Sequence, residues 1–402
     1  MELIFKSTFL LLMTVLLSPS LKAQCTMGPD GTLINPDGSA CVNSVVSAVP
    51  FLRIVADARS GGMGDVGLAL SADPNAMHFN ASKLVFAEDR AALSATYTPW
   101  LRSLNLNDVY LAYLTGYFKL DKLQSLGFGL RFFSLGSIQF TDVNGTPLNV
   151  GKPNEFELAL AYSRKLSDNF AAGITGKFIY SNLAAGNETT SGEIIEPAYS
   201  GAADVSFTYK KDDLTLALAV TNIGAKITYT RQLVKDFLPT NLGIGGAYTM
   251  ELDAFNKLTF ALDVNKLLIP TPCIPSADTL NHCSQDGDNI ADYRQLTPIK
   301  GIFTSFSDAP EGFKEELKEL MFSVGAEYWY DDQFAVRAGY FYEHAQKGNR
   351  KYFTVGIGLK YNVFGMNVSY LVPASSQRNP LDNTFRFSLL FDFDAFKSDT
   401  GE

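Results

Sequence analysis

The stretch FAAGITGKFIYS, residues 170–181, decides the fold class of this chain. Phe170, Ile174 and Phe178 occupy alternate positions, and between them lie small or polar residues such as Thr175 and Lys177. Successive side chains of a β-strand point to opposite faces of its sheet, so alternation with a period of two indicates a strand. We therefore predict a strand here with one apolar and one polar face.

The same alternation recurs along most of the chain after Ala91. In the last such segment, FRFSLLFDFD at residues 385–394, phenylalanines lie on one face and Arg386, Asp392 and Asp394 on the other. About fourteen segments follow this rule, and an even strand count is typical of bacterial transmembrane barrels. The sequence thus predicts an all-β fold, a transmembrane antiparallel β-barrel of about 14 strands over residues 90–396. The segments are centred near Ala95, Ala112, Gly129, Leu160, Thr175, Val205, Ala217, Gly245, Ala261, Gly325, Ala338, Ile357, Val368 and Leu389.

The spacers between these segments alternate in length. The short ones include residues 120–122, 166–169, 210–213, 331–333 and 362–365, and the long ones include 136–153, 182–197, 224–237 and 270–313. Outer-membrane barrels have short periplasmic turns and long extracellular loops. The pattern therefore predicts that residues 270–313 form the longest extracellular loop.

A soluble β-sandwich is the main alternative, since it also consists of many alternating strands. Two features favour the barrel: strands of about ten residues, and aromatic residues crowded at strand ends, which suit the two membrane interfaces. No interior stretch reaches the roughly 20 apolar residues that a membrane-spanning helix needs. The aromatic residues at strand ends are Tyr97, Trp100, Tyr110, Tyr117, Tyr328, Trp329 and Tyr330.

Residues 1–23 have the organisation of a secretory signal peptide. Lys6 precedes an apolar run from Thr8 to Leu17, and a small residue, Ala23, ends the segment. We expect residues 24–50 to form an N-terminal periplasmic segment, residues 51–89 a plug or hatch, and residues 397–402 a C-terminal tail. Together, signal peptide and barrel predict a location in the bacterial outer membrane, with the loops extracellular and both termini periplasmic.

The four cysteines are expected to form disulfides, because export leads to an oxidising space. Three connectivities are open, and pairing Cys25 with Cys41 and Cys273 with Cys283 closes the shortest loops. A zinc site on Cys273, His282 and Cys283 lacks a fourth ligand at suitable spacing. The acidic run DGDNIAD at residues 286–292 departs from a calcium-binding loop at Ile290, so no metal is expected.

Between Phe51 and Asp89 the alternation is absent, and the glycine-rich block RSGGMGDVGLAL occupies residues 59–70. Its glycines fit the G-x-G-x-x-G pattern, but no βαβ unit surrounds them, so neither a dinucleotide site nor any cofactor is expected. Small residues in short helical pieces suit a plug inside the lumen. Lumen-facing charges of both signs are expected to pair with one another and with this plug. They include Glu157, Lys165, Lys177, Asp204, Asp263, Glu327, Arg337, Lys360, Arg386 and Asp392.

The block from Ala58 to Gly67, the DPNA stretch at residues 73–76 and Asn80 resemble the N-terminal hatch of FadL-like outer-membrane barrels. More narrowly, the chain is similar to the PorV (LptO) family of the Bacteroidetes type IX secretion system. This resemblance covers the early cysteine segment, the glycine-rich block, the strand count and the phenylalanine-rich last strand. It implies hatch roles for Arg59, Gly62, Gly64 and Asn80.

The PorV resemblance implies protein transport in contact with outer-membrane lipid. Such proteins bind the C-terminal signal domains of secreted cargo at a large translocon barrel, SprA or Sov, and deliver them to a surface complex with a PorU-type sortase. The alternative, implied by the FadL resemblance, is an uptake channel for hydrophobic small molecules. An enzyme is not expected, because no G-x-S-x-G motif occurs. The net charge of -9 argues against nucleic acid.

The loops contain apolar residues that are unusual in water without a partner. We predict cargo or partner binding by Ile138, Phe140, Tyr293, Phe303 and Phe306. Packing of these side chains over the barrel mouth is an equally good interpretation. Downstream, Phe313, Leu317, Leu320 and Met321 have helical spacing and predict a short helix at the rim.

Overall fold

The computed structural model describes residues 26–27, 33–34, 44–102, 106–142, 144–189, 192–231, 235–272, 291–309, 312–374 and 383–393. Two small two-stranded sheets accompany a closed antiparallel barrel. The small sheets are β1 (Thr26–Met27) with β2 (Leu33–Ile34), and β6 (Ile138–Thr141) with β7 (Pro147–Gly151). The barrel strands are β3 (Ala91–Pro99), β4 (Val109–Lys119), β5 (Gln124–Leu135), β8 (Asn154–Lys165), β9 (Phe170–Asn182), β10 (Ala198–Lys211), β11 (Leu214–Gly224), β12 (Asn241–Glu251), β13 (Asn256–Leu267), β14 (Met321–Tyr330), β15 (Phe334–Tyr342), β16 (Lys351–Tyr361), β17 (Phe364–Pro373) and β18 (Phe385–Asp392).

The barrel closes where β18 pairs with β3, with Leu389 opposite Ala95. Each barrel strand is hydrogen-bonded to its neighbours in chain order, except that β5 pairs with β8, because β6 and β7 form a hairpin of their own. The predicted barrel of fourteen strands is confirmed, and each predicted strand centre lies within an observed strand.

The two faces of each strand differ as the alternation predicts. In β9, Ile174 is 60% exposed on the outside, whereas its neighbour Thr175 is buried on the inside. In β18, Phe385 and Phe387 are exposed and Arg386 is buried. The outer face is therefore apolar and the lumen contains the polar side chains.

The two ends of the barrel differ in their connections. Turns of two to four residues join strands at one end, which we call the turn end, and the long connections lie at the other, the loop end. The connection between β13 and β14 contains a 3-10 helix (Asp292–Gln295), the mouth helix (Pro298–Thr304) and the rim helix (Phe313–Lys318). The predicted rim helix is confirmed at Phe313 and Leu317, but Leu320 lies beyond its end and Met321 already begins β14. Among the described residues, no helix is long and apolar enough to cross a membrane.

Residues 44–90, which we call the N-terminal segment, consist of short helical pieces, as predicted. These are Pro50–Arg53, Ala58–Gly61, Ala76–Phe79 and Ala81–Phe86. Phe51 and Leu52 pack with loop-end residues such as Trp100, and Ser82 contacts Ser206 nearer the turn end. The segment therefore runs down the lumen from the loop end to the start of β3 at the turn end.

This path differs from the expected position of the segment 24–50 in its last part, residues 44–50, which are the ones that the structure describes there without a gap. The sequence predicts that they lie at the periplasmic end, opposite the long loops, but residues 44–50 lie at the loop end. The Ala48 amide donates to the carbonyl of Phe237, in the loop between β11 and β12, and Val49 is buried in the same apolar cluster. The physical reason is the apolar face of Val49, Phe51 and Leu52, which is buried among loop-end side chains.

Candidate functional site

Arg59 anchors the N-terminal segment to the barrel wall. Its guanidinium donates two hydrogen bonds to Glu327 of β14, at 2.9 and 2.7 Å, and a third to Asp73 at 3.1 Å. Arg337 of β15 donates to the same Glu327 carboxylate at 2.6 Å and to Asn367 at 2.8 Å. These groups are buried, so each charge is stable there only because it has these partners.

The glycines of the segment allow its backbone to lie directly on the barrel wall. Gly64 has φ +71°, a conformation that glycine adopts without strain, and its amide donates to the Thr354 hydroxyl at 2.7 Å. A Cβ at Gly339 of β15 would lie 2.1 Å from the backbone nitrogen of Gly64. Gly62 lies close to Gly356 of β16, where a Cβ would be 3.1 Å from the Cα. Glycines thus face glycines across this contact.

Asn80 organises the lower part of the segment. Its side-chain amide donates to the Leu68 carbonyl at 3.0 Å and to the Thr208 hydroxyl of β10 at 2.8 Å. Its oxygen accepts the Ser82 amide at 3.0 Å and caps the following 3-10 helix. The structure therefore brings together Arg59, Gly62, Gly64 and Asn80 along one segment, each in contact with the barrel wall or with the segment itself.

The mixed charges of the lumen are paired, as the sequence predicts. Lys177 contacts Asp204 at 2.8 Å and Glu157 at 3.7 Å, and Arg386 contacts Asp65 of the N-terminal segment at 3.3 Å. The remaining pairings are those of Asp263 with the amides of Gly67 and Leu68, Lys360 with Asp392, and Lys165 with the Phe86 ring.

A cavity of about 110 Å³ remains in the lumen beside the N-terminal segment. Its lining contains the charged side chains of Arg53, Asp65 and Arg350 together with Asn222 and Asn265. Above it, at the loop end, the apolar cluster that includes Trp100 and Phe133 fills the lumen. Apolar side chains, among them Leu52, Phe79 and Phe341, also line the cavity, so the pocket is small and mixed in character.

The predicted loop residues lie at the loop end but on separate elements. Ile138 and Phe140 belong to the β6–β7 hairpin, where Ile138 is exposed and Phe140 is half-buried against Gly151. Tyr293 lies half-buried in the 3-10 helix before the mouth helix. Phe303 is 72% exposed on the mouth helix, and Phe306 is exposed just after it.

Further exposed apolar residues at the loop end were not predicted from the sequence. No distinct signal in the sequence marks them, because single exposed apolar residues are common on protein surfaces and only a contiguous patch indicates an interaction site. They are Leu148 and Val150 of β7, Ile194, Ile299 of the mouth helix, and Phe313 and Leu317 of the rim helix.

A buried charged cluster under the rim helix was not predicted either. Lys266 contacts Glu316 at 2.8 Å and also pairs with Glu319, while Lys347 contacts Glu315 at 2.7 Å and Glu319 at 2.9 Å. Burial would raise the pKa of Glu319, but its contacts with Lys266 and Lys347 outweigh that effect and lower it. The helix is thus attached to the barrel through ion pairs.

Asp308 lies at the edge of this cluster. Its carboxylate accepts the Thr271 amide at 3.0 Å and the Thr271 hydroxyl at 3.1 Å. Burial, reinforced by the charges of Glu316 and Glu319, raises the pKa of Asp308 to about 6 despite the hydrogen bonds from Thr271.

Several predicted residues lie outside the described part of the chain. These are Cys25, Cys41, Cys273, Cys283 and His282, so the disulfides stay a prediction. In the described part of the chain, no group of three or more His, Cys, Asp or Glu side chains could hold a metal ion. His78 contacts Arg131 inside the barrel, whereas His344 lies in the connection after β15.

A closed barrel with an apolar outer face and a polar, filled lumen defines an outer-membrane β-barrel protein. The family described as type IX secretion system protein PorV matches residues 39–274, and the chain belongs to this family. It is therefore an outer-membrane component of type IX secretion. No curated protein sequence matches the chain significantly.

Solved structures with a similar fold have low sequence identity to this chain. The toluene transporter TbuX of Ralstonia pickettii is 12% identical, with a TM-score of 0.50, and the match covers 83% of this chain and 97% of TbuX. The Pseudomonas putida toluene transporter TodX is 12% identical over 85% of this chain and 98% of TodX, with a TM-score of 0.48. A Pseudomonas aeruginosa FadL homologue is 12% identical, with a TM-score of 0.43, and the match covers 88% of this chain and 100% of the homologue. The likeness concerns the fold alone.

Proposed function

We propose that this protein binds the C-terminal signal domains of secreted cargo and passes them from the large translocon barrel, SprA or Sov, to the surface complex with the PorU-type sortase. Membership of the PorV family supports a role in this pathway. The observation that carries the proposal is the concentration of exposed apolar side chains on the loop-end connections, where Phe303 and Phe306 are the most exposed of the predicted residues. Aromatic side chains of this kind are typical anchors of protein interfaces.

In this proposal the loop end faces the cell exterior and the turn end the periplasm, as in other outer-membrane barrels. Ser44 would then lie on the exterior side and the end of β18 on the periplasmic side. Residues 51–89 act as a plug, supported by the contacts of Arg59 with Glu327 and of Gly64 with the wall. Cargo recognition accordingly takes place on the loops and not through the lumen.

The test replaces the aromatic anchors of the mouth helix. Phe303→Ser combined with Phe306→Ser is expected to reduce the cargo that co-purifies with the barrel in mild detergent. Lys300→Ser is the matched control, because Lys300 is an exposed polar residue of the same helix. Unchanged cargo recovery in the double variant, with the translocon barrel still bound, would contradict this assignment.

The uptake channel for hydrophobic molecules has weaker support. It needs a continuous apolar route through the barrel, whereas the lumen cavity has a volume of only about 110 Å³ and includes Arg53, Asp65 and Arg350 in its lining. Apolar binding sites are lined mainly by hydrophobic and aromatic side chains. Detergent or lipid bound along the lumen of the purified protein, seen by cryo-electron microscopy, would favour this alternative.

A further inference from the structure

The rim helix has its charged and apolar faces reversed relative to a surface helix in water. Glu315 and Glu316 are buried, while Phe313 is 76% exposed and Leu317 49% exposed. A helix at a protein–water boundary buries its apolar stripe and exposes its charges. The reversal indicates that the outer side of this helix contacts something other than water.

The helix lies against the outer wall of the barrel. Leu262 and Val264 belong to the outward-facing positions of β13, and Lys266 occupies the next one in this alternation. Lys266 is nonetheless only 7% exposed, because Glu316 and Glu319 of the helix region cover its ammonium group. The outward side of the helix is therefore continuous with the membrane-facing surface of the barrel.

An aromatic belt surrounds the outer wall near the loop end, and it has a gap at this place. Outward aromatic side chains occur in the loop-end half of eleven barrel strands, and many touch, such as Tyr97 with Tyr110 at 5.6 Å and Tyr180 with Tyr199 at 5.2 Å between ring centroids. The members are Tyr97, Tyr110, Phe132, Phe156, Tyr180, Tyr199, Phe322, Tyr342, Phe353, Tyr370 and Phe385.

Three adjacent strands interrupt the belt. In the loop-end half of β11, β12 and β13 the outward residues are aliphatic, such as Val220, Leu242 and Val264. The exception is Lys266, the last outward-facing residue of β13. Outer-membrane barrels have girdles of aromatic residues at both membrane interfaces, where the amphipathic rings of Tyr and Trp lie at the level of the headgroups. The rim helix holds Phe313 at the β13 side of this gap.

We propose that the rim helix is a lipid-contacting element, in which Phe313 and Leu317 insert into the membrane interface at the loop end and continue the aromatic belt. The ion pairs of Lys266 and Lys347 with the buried glutamates hold the helix in this position. Lys314, which follows Phe313 in the helix, is exposed, and a lysine beside apolar side chains suits the phosphate groups of lipids. The occupant of this face is thus the membrane lipid and not a protein partner.

Tryptophan fluorescence distinguishes these occupants. Phe313→Trp is placed in a chain whose own tryptophans are replaced, Trp100→Phe and Trp329→Phe, and the protein is reconstituted in phosphatidylcholine vesicles with bromine on the upper acyl chain. We expect a blue-shifted emission and quenching several-fold stronger than for Phe303→Trp. Phe303 is the matched control because it is similarly exposed but belongs to the mouth helix. The proposal would be overturned if the two variants had the same emission maximum and were quenched to the same extent.

A second measurement uses the otherwise native chain and needs no tryptophan replacement. A benzophenone amino acid at position 313 is irradiated in intact cells, and the adducts are separated by electrophoresis and mass spectrometry. Adducts with lipid support the proposal. A discrete protein adduct as the dominant product would overturn it, because it would identify this face as a protein interface.

Discussion

Arg59 and Glu327 form a two-point ion pair inside the barrel, with nitrogen–oxygen distances of 2.9 and 2.7 Å, although 268 residues separate them in the chain. The pair fixes the position of the N-terminal segment along the barrel axis. Arg337 contacts the same carboxylate, so Glu327 pairs with two guanidinium groups, and Asp73 provides a second carboxylate for Arg59.

Glu327→Gln should release the N-terminal segment while leaving the barrel strands paired. Removing one partner of a buried ion pair typically costs about 3–5 kcal/mol, since the remaining charges lose their compensation. We expect faster amide hydrogen exchange over residues 57–75 in the detergent-solubilised protein. Lys257→Gln is the control, because its pair with Asp332 lies exposed at the turn end and such pairs contribute little. Equal exchange in the two variants would show that the Arg59 pair does not hold the segment.

Gly339→Ala tests the close approach of the segment to the wall. The added methyl group would lie 2.1 Å from the Gly64 nitrogen, so the segment backbone must move. We expect a lower temperature of barrel unfolding, measured by the heat-dependent shift in gel migration. Gly176→Ala is the matched control, because a Cβ there has no heavy atom within 4 Å and faces outward. A Gly339 variant as heat-stable as the control would mean that the contact is looser than the structure indicates.

The barrel strands could be predicted from the sequence because their signal is local. Side chains such as Ile174 and Thr175 report the two faces of a strand within a few residues. Even the pairing of lumen charges followed from their mixed signs, since buried charges need partners. The identity of each partner did not follow, because the Arg59–Glu327 contact joins distant parts of the chain.

The direction of the N-terminal segment and the position of the rim helix could not be predicted. Residues 44–90 have no alternation, and small residues pack equally well at either end of a lumen. The apolar spacing of Phe313 and Leu317 predicted a helix, but an apolar stripe is normally the buried one. In the structure the charged face is the buried one, because Lys266 lies on the outer wall beneath the helix and pairs with Glu316.

Val46→Cys tests the side of the membrane to which the N-terminal segment leads. In a chain whose four native cysteines are replaced by serine, we expect a membrane-impermeant maleimide to label Val46→Cys in intact cells, because Val46 is 69% exposed at the loop end. Asp168→Cys, in the exposed turn between β8 and β9, should be labelled only after the outer membrane is opened. The reverse pattern would invert the proposed orientation of the barrel.

The buried position of Asp308 beside Glu316 and Glu319 should make the long connection between β13 and β14 sensitive to pH. The pKa of Asp308 is raised to about 6, above the value of 3.8 for an unperturbed Asp. Protonation of Asp308 therefore stabilises the folded loop fully below about pH 4, and this stabilisation is lost as the pH rises through about 6. The contacts with Lys266 and Lys347 lower the pKa of Glu319, so its titration is shifted away from that of Asp308. We therefore expect slower hydrogen exchange in residues 291–309 at pH 5 than at pH 7.5, after correction for the intrinsic exchange rate. Asp308→Asn imitates the protonated side chain and should remove most of this difference, whereas an undiminished difference in the variant would assign the pH sensitivity to another group.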